Sequence, residues 1–229
     1  MKIKLILLIL LLGYNPHSNA EECGSLENHF GPYDYRTNKN YLPVVEDNHF
    51  SSVTYAMALS AGSSEKYSKE FKFTGQNAGK TKHTSIAGDL DYTLSAFPNH
   101  PRALYAVSEY QRIMQRNYKN PSLWRPKYRT ADCYFKRAIR FAPTDPMVYM
   151  VYGLYFHKRK EYEKALLQYR KSEKMNADNI DLLYYLGLVN YELGNFDEAQ
   201  KYADKVYQRK YPLEGLKDEL KKHNAMNKK

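Results

Sequence analysis

Two consecutive stretches decide the fold: "DPMVYMVYGLYFHKRKEYEKALLQYRKSEKMNAD" (145–178) and "NIDLLYYLGLVNYELGNFDEAQKYADKVYQRKYP" (179–212). Laid one beneath the other, they repeat with a period of 34 residues. Gly153 falls on Gly187, Tyr162 on Phe196, Ala165 on Ala199 and Ser172 on Val206. Small residues returning at one register mark a place where two helices cross closely. The aromatics between them fill the gap of the helix pair. A fixed period of this size marks units that bury their apolar faces only by stacking on a neighbour.

The register extends backwards. Ala131, Phe135, Ala138 and Pro143 stand 34 before Ala165, Tyr169, Ser172 and Ala177, in the segment "ADCYFKRAIRFAP". Its partner is "HPRALYAVSEYQRIMQR", and matching it needs an insertion of eleven residues, filled by "NYKNPSLWRPKYRT". Pro98 and Pro143 are then 45 apart, the period plus that insertion. So "GDLDYTLSAFP" reads as the second helix of a degenerate repeat and "HFSSVTYAMALSAG" as its first, with Ser51 as N-cap and Gly62 as the stop. "PLEGLKDELKKHNAM" reads as a capping helix.

This pattern resembles the tetratricopeptide repeat, whose period is 34 and which carries an aromatic, Leu-Gly, Ala, Phe/Tyr, Ala and a closing Pro. The second repeat departs from it with Ala177 in place of the closing proline, and the third with Asn190 where an aromatic is usual. Neither change disturbs helix pairing. The whole arrangement also resembles a group of exported bacterial tetratricopeptide proteins, which implies an envelope setting and no particular activity. The resemblance implies an all-α fold, a short solenoid of about three repeats plus one degenerate repeat. The expected order is a signal peptide (1–20), a strap (21–48), a degenerate helical repeat with a loop (49–99), repeats (100–212), and a capping helix with tail (213–229).

The chain opens with Lys2 and Lys4, an apolar run from Leu5 to Leu12, and Ser18-Asn19-Ala20. That is the pattern of a secretory signal cleaved after Ala20. The run is too short to span a bilayer, so a periplasmic or secreted protein without a membrane span is expected after cleavage. Glu22 before Cys23 disfavours lipidation. Loss of Lys2 and Lys4 takes the formal charge from +10 to +8. An exported basic protein meets little nucleic acid, and its lysines are spread over helical faces, so no nucleic-acid partner is expected. An acidic envelope partner fits the charge.

Catalytic signatures are missing: no His-Glu-x-x-His, Gly-x-Ser-x-Gly, phosphate-binding glycine loop or Cys-x-x-Cys occurs. The expectation is a protein that is no enzyme and carries no cofactor or metal. The alternative is an envelope enzyme, or a metal- or small-ligand-binding protein, built on His29, His49, His83 and His100 of the less regular half. Asp89 and Asp91 could do acid–base work, but acids in a first helical turn more simply favour the helix dipole.

In the family resembled, the first helix of each repeat lines the concave face. Carried over, the first repeat offers Arg102, Tyr105, Glu109 and Arg112. The second offers Met147, Met150, Leu154 and His157. The third offers Asp181, Tyr184, Leu188 and Tyr191. A groove of this composition suits a protein or peptide segment. Met150, His157, Tyr184 and Tyr191 are expected to face solvent. The competing reading fills the groove with the capping helix or the amino-terminal arm.

Two cysteines are present, Cys23 and Cys133. An even number in an exported protein suggests pairing. Cys133 lies two residues from Ala131, about 200° round the helix, and so on the outer face. A Cys23–Cys133 link would pin "CGSLENHFGPYDYRT" (23–37) there as a strap. The rival for that stretch is a ligand site of His29, Tyr33, Tyr35 and Arg36.

Overall fold

The computed structural model describes residues 23–51, 86–120 and 126–226. Among them are helices α1 (Tyr41–His49), α2 (Ile86–Ala96), α3 (Pro101–Asn117), α4 (Ala131–Phe141), α5 (Pro146–Lys158), α6 (Tyr162–Met175), α7 (Ile180–Glu192), α8 (Phe196–Gln208) and α9 (Gly215–Met226). The fold is an all-α solenoid. α5 pairs with α6 and α7 with α8, α6 leans on α7, and α9 seals the end against α7 and α8.

Local sequence starts and stops these helices. Asp145 accepts from the Met147 N–H at 3.0 Å and Asn179 from the Leu182 N–H at 3.0 Å, capping α5 and α7. Pro101 and Pro146 occupy the first turn, where a missing N–H costs nothing. At the far ends the repeat is reproduced bond for bond. The Glu161 N–H donates to Phe156 O at the end of α5, and the Asn195 N–H to Asn190 O at the end of α7. Both turns need a left-handed residue, Gly194 in one and Lys160, 34 earlier, in the other.

The close crossing is where the period placed it. A Cβ added at Gly153 would stand 2.4 Å from the Tyr169 ring, and one at Gly187 would stand 2.3 Å from Leu216 Cδ2 and 3.2 Å from Tyr202 Cβ. Ala165, Ala199 and Tyr169 are fully buried. Tyr169 also lies 5.9 Å from the ring of Tyr185, joining the second pair to the third.

One element departs from expectation. The sequence pattern predicts an irregular 21–48, yet α1 lies mostly within it. Val45 is buried with Ala96 and Phe97, and Leu42 packs on the same cluster. Pro43 falls in the first turn, where proline is tolerated. His49 therefore ends α1 instead of opening the degenerate repeat. The rest of that expected first helix lies outside the described residues.

Gly153→Ala should lower stability by about 1–3 kcal/mol, because the added methyl meets a ring that is itself fully packed. Urea melts of both proteins read the loss as a shift in midpoint.

Candidate functional site

The first helices of the three repeats present a row of partly exposed side chains. Tyr105, Met147, Leu154 and Leu188 are half-buried, and Arg102 and Asp181 are exposed. α3 and α5 are bridged across this row. Lys158 Nζ donates to Tyr105 OH at 2.9 Å and lies 3.2 Å from Glu109 Oε1. Arg112 donates to Glu109 at 2.8 Å. Burial pushes the Glu109 carboxyl up, but Arg112 and Lys158 outweigh it and hold it below its ordinary value. Arg102 is drawn to α1, 3.7 Å from Glu46 and over the Phe50 ring.

Four residues expected to face solvent are placed otherwise by the structure. Met150 and Tyr184 are buried, and His157 and Tyr191 half-buried. Tyr184 packs 4.9 Å from the Tyr211 ring, beneath the start of α9. Tyr191 meets edge-on the rings of Phe196 and of His223 in α9, which stack on each other. His157 is 3.4 Å from Tyr169 OH, and burial lowers its pKa. Asp181 accepts from Tyr211 OH at 2.6 Å. Tyr184 and Tyr191 are thus met by the cap, and His157 by its own second helix. Helix register gives a side chain's face, but not which later element lies across it.

Along the strap, Cys23 and Cys133, 110 residues apart, have Cα atoms 5.1 Å apart and sulfurs in bonding contact. Cys133 is half-buried, whereas Ala131, Phe135 and Ala138 are fully buried. Three arginines grip the strap's backbone. Arg129 Nε donates to Cys23 O at 3.2 Å, Arg140 to Gly24 O at 2.6 Å, and Arg137 to Gly24 O and Ser25 O. Burial, then the neighbouring Arg129 and Arg140, lower the Arg137 pKa to about 10. Sequence reasoning missed this clamp entirely, since a backbone carbonyl has no signature in the residue types.

Further along, Asp34 pairs with Arg36 at 2.5 Å, the local ion pair. Asn99 Nδ2 donates to both Asp34 and the buried Asp145, each at 2.9 Å. Tyr33 stacks on Tyr41 and leans on Phe97. Tyr35 lies 6.3 Å from the His100 ring. The residues of the rival ligand site, apart from the exposed His29, are thus engaged within the chain.

The histidines are dispersed. His49 meets Asp89 at 3.2 Å and stacks on Tyr92. His100 accepts from the Ala103 N–H through Nδ1, and its Nε2 lies 2.9 Å from Glu46. Asp91 accepts from Arg129 and Tyr134, so the two acids of α2 serve different partners. His83 lies outside the described residues. Among the described residues no three His, Cys, Asp or Glu side chains are grouped to hold a metal, and no helix is long and apolar enough to cross a membrane.

Helix pairs of one period, stacked and sealed by a terminal helix, define a repeat scaffold. Residues 153–194 match the family model described as TPR repeat, so this part of the solenoid has the tetratricopeptide-repeat pattern. Such arrays typically serve protein–protein interaction. Comparison with curated proteins gives no match. A solved structure described as "MamA RS-1 ArsTM double mutant" is similar at 18% identity, covering 68% of this chain and 72% of that one, with a TM-score of 0.40.

Tyr184→Ala should destabilise the protein by about 3–5 kcal/mol, the cost of emptying a buried aromatic site. Thermal melts followed by circular dichroism measure it, and a folded protein of parental stability would contradict the burial.

A second expectation concerns acid. The hydrogen bond from Arg36 holds Asp34 down to about 2, against an ordinary value of 3.8, with burial opposing. A depressed folded value gives stability that is present above the unfolded value and lost as pH falls towards the folded one. Asp145 is raised by burial and works in the opposite sense. Asp34→Asn should lower the melting temperature at pH 7 and flatten the loss between about pH 4 and pH 2. Melts at stepped pH compare the two proteins.

Proposed function

We propose that this chain is an exported scaffold that recognises a segment of a partner protein in its concave groove, in the envelope, without making or breaking bonds. The signal-like pattern of residues 1–20 and the two cysteines placed at bonding distance support export. The observation that carries the binding reading is the row of Tyr105, Met147, Leu154 and Leu188. All four keep part of their surface exposed, one or two from each first helix, and Tyr105, Met147 and Leu188 also pack on the core. Apolar surface left on successive repeats can follow an extended or helical segment.

Photo-crosslinking amino acids at positions 105, 154 and 188 should give the same envelope adduct, and one at Lys171 on a second helix should not. Leu154→Ala and Leu188→Ala should each weaken binding of that adduct protein by about 1–2 kcal/mol, with melts near the parent's. Adducts from position 171 alone would place binding on the outer face.

A further inference from the structure

Three arginines hold the strap's backbone at the residues that carry one member of the Cys23–Cys133 pair. Cys133 occupies the third position of α4, where its N–H donates to Thr130 Oγ1, the helix N-cap. The first turn of a helix favours a negative charge. Arg137 is one turn further along the same helix and only 2% exposed. It donates to strap carbonyls, and its Nε has no hydrogen-bond partner among the described residues. Arg129 and Arg140 grip the same two or three residues of strap.

Among the described residues, two carboxylates contact groups of this corner. Asp91 of α2 accepts from Arg129 and Tyr134. Asp132 of α4 pairs with Lys136 and accepts from Tyr152 of α5. Cationic groups outnumber carboxylates, and the most buried of them carries no carboxylate partner among these contacts. Electropositive surroundings at a helix start favour thiolate over thiol.

We propose that Arg129, Arg137 and Arg140 form a thiol-activating clamp, in which Cys133 is the nucleophile towards a small or protein disulfide donor and Cys23 is the resolving thiol. The division follows exposure: Cys133 is half-buried and Cys23 is 4% exposed. The Cys133 thiolate attacks one sulfur of the donor disulfide. The donor S–S bond breaks, one donor thiolate leaves and takes up the proton lost by Cys133, and a mixed disulfide remains. Cys23, held at bonding range because the arginines fix the carbonyls of residues 23–25, loses its proton and attacks Cys133 Sγ, expelling the second donor thiolate, which takes up that proton. The cysteine pair gives up two electrons, and the donor gains them as two thiols. The strap is thus seated by hydrogen bonds before the link closes, and the link records exposure to an oxidising donor.

Because the clamp rests on the reading of an exported protein with joined cysteines, the link is measured first. Mass spectrometry of the unreduced full chain should show the Cys23 and Cys133 peptides linked. Two freely alkylated thiols would end the exported-strap reading itself. The chain is then reduced, checked for helix content by circular dichroism, and alkylated with iodoacetamide from pH 5 to pH 9. A Cys23→Ser variant isolates Cys133. The expected midpoint lies at least about one pH unit below the ordinary cysteine value of about 8.5. Arg140→Gln and Arg129→Gln should each move it upwards, and Lys171→Gln should not. Re-closure of the reduced parent by oxidised glutathione should slow in those two arginine variants. A thiolate loses nucleophilicity as its pKa falls, so a midpoint moved by about one pH unit should change the rate by only about threefold at about pH 7. A midpoint near 8.5 in the parent would overturn the proposal, as would a low midpoint that neither arginine variant moves.

Discussion

The ring of Tyr169 lies where a side chain on Gly153 would have to be, and the array depends on that close approach. With a hydrogen atom in place of a methyl, α5 and α6 come near enough for the ring to be fully buried between them. The same ring stacks near Tyr185 of the next first helix. One aromatic therefore sets the distance within a pair and the step to the next pair. Gly187 repeats the arrangement with Tyr202 and with Leu216 of the cap. Once both steps are fixed, the first helices have a fixed rotation. That rotation leaves Tyr105, Met147, Leu154 and Leu188 part-exposed on one row while neighbouring positions are covered.

This explains which features were legible in the sequence. The repeat is a packing constraint that recurs at a constant spacing, so small residues at 153, 165, 187 and 199 announce it without coordinates. Caps and turns are equally local: Asp145 and Asn179 bond two or three residues ahead. The α1 helix was not legible, because its stability comes from Val45 and Leu42 meeting Ala96 and Phe97 some fifty residues away. The covering of Tyr184 was hidden for a similar reason, since it depends on where α9 begins after a turn at Tyr211. The arginine clamp was hidden more deeply. Arg129, Arg137 and Arg140 read as surface charge until their partners, three backbone carbonyls, are seen.

The basic excess of the chain takes on a different meaning in this light. Arg129, Arg137 and Arg140 hold strap carbonyls, Lys158 and Arg112 hold one buried carboxylate, and Arg36 joins Asp34 near Asp145. Guanidinium groups suit this work because they offer several donors in one plane and shed water more readily than an ammonium group. Part of the basic charge is therefore employed within the molecule.

The two ends of the array are closed by different physics. At the carboxy-terminal end α9 inserts Leu216 and Leu220, a purely apolar seal. Towards the amino-terminal end, α1 packs Val45 and Leu42 against Ala96 and Phe97 of the α2 end. The strap adds polar ties. It is bound to α4 through Arg137 and Cys133, and to α2 through Asn28 and Tyr33, which donate to Ser95 O and Ala96 O. Through Asp34 and Asn99 it also reaches the Asp145 cap of α5. Three helices that are distant in sequence are tied by one segment through directional hydrogen bonds, with Tyr33 and Tyr35 adding apolar packing. Closing a loop of 110 residues is where a covalent link gains most against the unfolded chain. The fifteen residues from Cys23 to Thr37 thus hold α2, α4 and the start of α5 together by hydrogen bonds and a pair of cysteines at bonding distance.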